Sequence, residues 1–112
     1  INQILQEWRK DSLGCLNLRN TRTAKIIANY FNLQTLSLKK AIDLLGNPTY
    51  TKTDSNYIYI DYFFNSICDK FSGKIYDNIS VCGLQLTYQK SKQDSCTFDF
   101  TCYENFTSQP RP

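Results

Sequence analysis

The chain contains no histidine and no methionine, and only four glycines and three prolines among its 112 residues. The missing histidine restricts function most. It removes the commonest general base at neutral pH and makes a Ser–His or Cys–His nucleophile pair impossible. It also removes the usual nitrogen ligand of zinc, and none of the five cysteines belongs to a Cys-x-x-Cys pair. No run of about 18 apolar residues is present, so nothing here has the length of a membrane-spanning helix. The 13 basic residues are dispersed and the net charge is only +3. A nucleic-acid-binding domain should concentrate its basic side chains in a stripe, so nucleic acid is not an expected partner. Gly-rich phosphate loops and EF-hand spacing are likewise lacking. With Ile1 at its start and no Met, the chain reads as a processed mature segment from which a secretory or lipoprotein signal was removed.

Little remains that could carry a reaction. Ser37-Leu38-Lys39-Lys40 has the letters of a Ser-x-x-Lys nucleophile, but a serine ahead of an apolar-periodic stretch reads as a helix cap. Paired carboxylates could serve a glycosidase. Asp61 and Asp99, however, alternate onto the strand face away from the core, where solvent exposure accounts for them. The expectation is a non-enzyme with no catalytic residue, no metal ligand and no cofactor.

What is present points to one globular α+β domain over residues 1–106, with a polar tail at 107–112. The composition is 41% hydrophobic and 21% charged, with eight Tyr and seven Phe. Ile1, Ile4, Leu5 and Trp8 fall at helical spacing within residues 1–10. Ala24, Ile27, Ala28 and Phe31 do so within 18–32, with Arg19, Arg22 and Lys25 on the polar side. A third helix over 38–45 is the clearest: Ser37 caps it, Leu38, Ala41, Ile42 and Leu45 form its stripe, and Gly46 and Pro48 end it. The period then changes to two. Strands are predicted at 49–53, 57–63, 84–88 and 97–103, with turns near 54–56 and 90–94 and a long connection at 65–80. Two to three helices followed by four antiparallel strands should pack as a helical layer on one face of a sheet.

The cysteines support an exported chain, since this density is ordinary only in oxidising compartments. Cys96 and Cys102 lie on one strand, six residues and so roughly 20 Å apart, too far for a bridge. If Gln89 faces Ser95, the antiparallel register sets Cys82 opposite Cys102 within bonding reach. Cys68 could then join Cys15, closing a long loop for about 4 kcal/mol, or compete for Cys82; in the first scheme Cys96 is left over. On the second strand Ile58, Ile60, Tyr62 and Phe64 share the core face. Tyr57, Tyr59 and Phe63 occupy the other, with Tyr103 able to join them, and these four are the candidate binding residues. Asn78-Ile79-Ser80 and Asn105-Phe106-Thr107 match glycosylation triplets.

The series Trp8-x-x-Asp11-x-x-Gly14-Cys15-x-x-x-Arg19, followed by Leu36-Ser37, Leu45-Gly46-Asn47-Pro48, Tyr57-x-Tyr59 and Cys68, resembles small exported proteins and lipoproteins of Bacteroidetes-type bacteria. Residues 37–48 are also similar to the outer-membrane assembly lipoproteins BamE (SmpA/OmlA), and the architecture is similar to the β-lactamase inhibitory protein. The resemblance spans residues 8–68 and leaves out Cys82, Cys96 and Cys102. It implies an exported, non-catalytic domain, periplasmic, anchored at the outer membrane through a removed lipid, or secreted. It also implies Cys15–Cys68 over the rival pairing. The expected function is binding of a protein partner through the open sheet face, by a monomer or weak dimer. An enzyme inhibitor acting through the loop at 65–80 or 51–56, and a small-ligand carrier with a pocket between helices and sheet, are the alternatives.

Overall fold

In a computed structural model the chain has three helices followed by a four-stranded antiparallel sheet, an α+β fold. The structure describes residues 1–64, 68, 72 and 79–106, excluding the side chains of Ile79 and Asn105. Most of the 65–80 connection, the tail at 107–112 and the Asn78 triplet therefore lie outside the described residues, as does the Asn105 side chain.

Helix α1 (Asn2–Lys10) buries Leu5 and Trp8 and places Arg9 and Lys10 in its last turn, where they complement the helix dipole. Helix α2 (Thr21–Tyr30) is shorter than the periodicity at 18–32 predicts. Its start is set by a reciprocal cap: the Asn20 side chain accepts from the Thr23 amide at 3.0 Å, and the Thr23 hydroxyl accepts from the Asn20 amide at 3.0 Å. Arg19 precedes this cap and is fully buried, not part of a polar helix face. After α2 comes a 3₁₀ turn at Leu33–Thr35 that drives Leu33 into the core. Helix α3 (Leu38–Leu45) spans the sequence-predicted range, capped by Ser37 through the Lys40 amide and ended by Gly46 at φ +81°.

Strands β1 (Tyr50–Thr53), β2 (Tyr57–Phe64), β3 (Ile79–Gln89) and β4 (Lys92–Phe106) pair in sequence order. The last two are much longer than the alternation at 84–88 and 97–103 indicates, and the turn between them shrinks to Lys90-Ser91. Gln89 pairs with Lys92 and not with Ser95, because three extra β4 residues are accommodated before Thr97. Beyond that irregularity Thr87 faces Thr97, and the register carries Cys82 opposite Cys102.

The helices cover one sheet face. Trp8, Ile27, Leu33, Ala41 and Leu45 from the helical side meet Ile60, Tyr62, Phe64, Leu84, Leu86 and Tyr88 from the strands. Burying six large strand side chains at about 1.5–3 kcal/mol each makes this interface the chief source of stability. Two disulfides add to it. Cys15–Cys68 closes a 53-residue separation at a Cα distance of 5.8 Å. Cys82–Cys102 ties β3 to β4 at 4.0 Å. In the loop-entropy picture they restrict the unfolded chain by about 4 and about 3 kcal/mol. Cys96 is the free thiol.

Candidate functional site

The Trp8–Arg19 motif forms a cluster at the junction of the helices with the start of the sheet. Asp11 ends α1 and turns its carboxylate onto the loop that follows, accepting from the amides of Leu16 (2.9 Å), Leu18 (3.0 Å) and Arg19 (2.9 Å). Gly14 supplies a left-handed turn at φ +75° just before the disulfide cysteine Cys15. The loop aims Arg19 inward. Its Nε donates to the Trp8 carbonyl at 2.6 Å and Nη1 to the Ser12 carbonyl at 3.1 Å. Longer contacts reach the carbonyls of Leu45 and Asn47 and the Thr49 hydroxyl, at 3.4–3.5 Å. The guanidinium is sandwiched between Trp8 and Tyr62, 5.3 and 5.1 Å from the ring centroids. Burial pulls its pKa down to about 10, partly offset by Tyr62 and Asp11, so it stays charged at neutral pH. A planar fork that satisfies carbonyls from three chain segments is architecture. With no exposed edge it has nothing to offer a ligand.

The helix-free face of the sheet divides into two halves. One half is a second hydrophobic cluster of Phe63, Val81 and Phe106, with Tyr50 and Tyr103 packed on it. Phe63 and Phe106 meet edge to face at 4.9 Å, and Tyr50 meets Phe106 at 5.2 Å. Phe63 is therefore buried, which removes it from the open surface that alternation assigns to it. Asp61 is corrected in the same way: it is 0% exposed, beside this cluster. The Tyr103 hydroxyl donates to Asp61 Oδ2 at 3.0 Å and accepts from Gln85 Nε2 at 2.9 Å, while Asp61 Oδ1 has no hydrogen-bond partner among the described residues. Burial raises the Asp61 pKa, opposed by Tyr103, Gln85 and the charge of Lys52. Burial and the Asp61 charge raise that of Tyr103. Asp99, by contrast, is exposed as expected.

The other half stays at the surface. Tyr57 is 38% exposed and Tyr59 half-buried, their rings 6.2 Å apart. Lys52 Nζ sits 5.8 Å over the Tyr59 ring. The Tyr59 hydroxyl donates to Asp54 Oδ2 at 3.1 Å. Asp54 Oδ1 accepts from the amides of Asn56 and Tyr57, which hold its pKa below the ordinary range. These bonds fix the Tyr59 side chain and the Tyr57 backbone at the β1–β2 hairpin, and the Tyr57 ring lies against that of Tyr59. Beside them Thr87, Gln89, Lys92, Ser95 and Thr97 border an open groove of about 390 Å³. The groove lies at the irregular β3–β4 pairing between Thr87 and Gln89, where the extra β4 residues are accommodated.

Of the four candidate binding residues, then, Tyr57 and Tyr59 lie together at the surface, Tyr103 is half-buried with its hydroxyl engaged, and Phe63 is interior. Sequence reasoning missed the groove, which depends on the irregular turn end of β3–β4, and the Asp61–Tyr103–Gln85 network, which depends on side-chain directions that register alone does not give. Two disulfides are what an oxidising, non-cytoplasmic compartment supports. Among the described residues no group of three or more His, Cys, Asp or Glu side chains could hold a metal ion, and no helix is long and apolar enough to cross a membrane. No family model, curated protein or solved structure matches the chain.

Proposed function

We propose that the chain is a non-catalytic, exported interaction domain that binds a protein partner through the outer half of its helix-free sheet face. The observation that carries this reading is the pairing of surface-held Tyr57 and Tyr59 with an adjoining groove on a rigid sheet. Tyrosines fixed in place bury large area at little entropic cost on binding. Around them Lys52 lies over the Tyr59 ring, Lys90 bonds through its amide to Asn56 and Lys92 borders the groove, so a partner surface with acidic character fits. A periplasmic, lipid-anchored or secreted setting accords with the bridges and with the resemblance of residues 8–68 to small exported proteins and lipoproteins. The carrier alternative is disfavoured because the space between helices and sheet is filled by packed Ile60, Leu84 and Leu86. The test is a photo-cross-linking residue at position 89, on the groove wall and on β3, in cells of the source organism, with the same residue at exposed Arg22 as control. A discrete adduct with a different protein at 89 and none at 22 supports the proposal. Adducts at neither site, or equally at both, refute it.

A further inference from the structure

We infer that β4 is a pairing edge, and that two copies of this chain join there antiparallel, about a two-fold axis at Phe100, into one eight-stranded sheet. Strand β4 closes the sheet on one side, so half of its backbone donors and acceptors face outward; the Phe100 amide donates to Asp99 Oδ1 at 2.8 Å, a local bond that a pairing strand replaces. Natural edges are blunted by shortness, proline, lysine or bulges. β4 has 15 residues, and its stretch 97–103 contains neither proline nor lysine. Bulges are present, but at both ends. Between them every residue from Thr97 to Tyr103 pairs with β3 in unbroken register, which leaves a straight seven-residue outer edge. Phe100 is the midpoint of that edge, and an axis there pairs the whole stretch with itself.

The side chains favour this axis. Phe100 is 39% exposed on the helix-side face and lies outside the core cluster. Beside it, Phe98 lines a shallow depression with Phe31 and Tyr30, and Tyr30 is 65% exposed. With the axis at Phe100 the two phenyl rings face each other, Phe98 of each copy meets Cys102 of the other, and Asp99 meets Thr101, so no like charges are opposed. Moving the axis one residue, to Asp99, would set Asp99 against Asp99 and Asp94 against Glu104, which repel. The pairing also leaves the Tyr57 groove open, since the groove lies on the opposite sheet face. The inference therefore stands apart from the proposed function.

So narrow an interface is weak, so the whole oxidised chain is examined by sedimentation equilibrium up to on the order of 0.5 mM. Reversible dimerisation is expected, weakened at least about ten-fold by Phe100→Lys, which sets two ammonium groups across the axis. A second measurement reads the register: in a Cys96→Ser background, Phe100→Cys should cross-link the dimer on mild oxidation, and Asp99→Cys should not. Directly opposed residues approach to about 4.5–5.5 Å between Cα atoms, within bonding reach. A chain monomeric throughout that range, a Phe100→Lys variant that associates like the parent, or cross-linking at 99 in place of 100 would each overturn the inference.

Discussion

Replacing Arg19 tests the claim that the Trp8–Arg19 motif holds the fold together. The guanidinium makes two good hydrogen bonds to carbonyls, at 2.6 and 3.1 Å, and is sandwiched between two aromatic rings. A bond from a charged donor contributes about 1.5–3 kcal/mol, and a desolvated cation–π contact up to about 2. Against this stands the cost of burying the charge, visible in the lowered pKa. The net loss on Arg19→Ala should be about 4 kcal/mol, including the cavity left behind. Arg19→Met keeps the packed stem but removes the charged donor from the Trp8 and Ser12 carbonyls, and should lose about 3 kcal/mol. Arg19→Lys keeps one or two bonds without the fork and should lose about 2 kcal/mol. Urea titration of the oxidised proteins, followed by fluorescence of the single tryptophan, gives all three values. A Met variant as stable as the parent would show that the guanidinium contributes nothing net and would refute the reasoning.

Asp61→Asn should stabilise the domain at neutral pH by about 1–2 kcal/mol, because it removes a buried charge while keeping an acceptor for Tyr103. The raised Asp61 pKa means that the parent gains from this group below the unfolded carboxylate range, and that the gain is lost as pH rises through the folded value. The Asn advantage should therefore vanish near pH 4, and urea titrations at pH 7.5 and pH 4 check it. Tyr103→Phe should cost about 1–2 kcal/mol at neutral pH by denying the buried carboxylate its 3.0 Å bond from the Tyr103 hydroxyl, measured in the same way. The Cys96 thiol donates to the Leu33 carbonyl at 3.1 Å, and burial raises its pKa, opposed by Tyr88. Alkylation followed by mass spectrometry should find one reactive thiol per chain, labelled at least roughly ten-fold faster in denaturant than in the native state.

The fold was legible wherever its determinants are local. Helix α3 carries its cap, stripe and stop within residues 37–48. On strand β2 a period of two picks out the core face of Ile58, Ile60, Tyr62 and Phe64, although the strand's second half is buried on both faces. The start of α2 was missed because the Asn20–Thr23 cap lies inside an apolar periodicity that runs through it. Arg19 was placed in solvent because composition cannot show that four carbonyls and a hydroxyl converge on it from distant segments. The second cluster was invisible for a related reason. Val81 and Phe106 lie beyond the recognisable alternation of β3 and β4, so nothing local indicated that Phe63 and Asp61 would be covered. The same register decided which tyrosines remain at the surface.

The central claim separates an architectural motif from a binding face, and one comparison tests it most directly. The cross-linking residue at position 89 is combined with Tyr57→Ala, and the adduct yield is measured beside the stability of the same protein. The account predicts an adduct reduced to background with stability changed by less than about 0.5 kcal/mol, since Tyr57 lies outside both hydrophobic clusters. A full adduct yield from the stable Tyr57→Ala protein would contradict it.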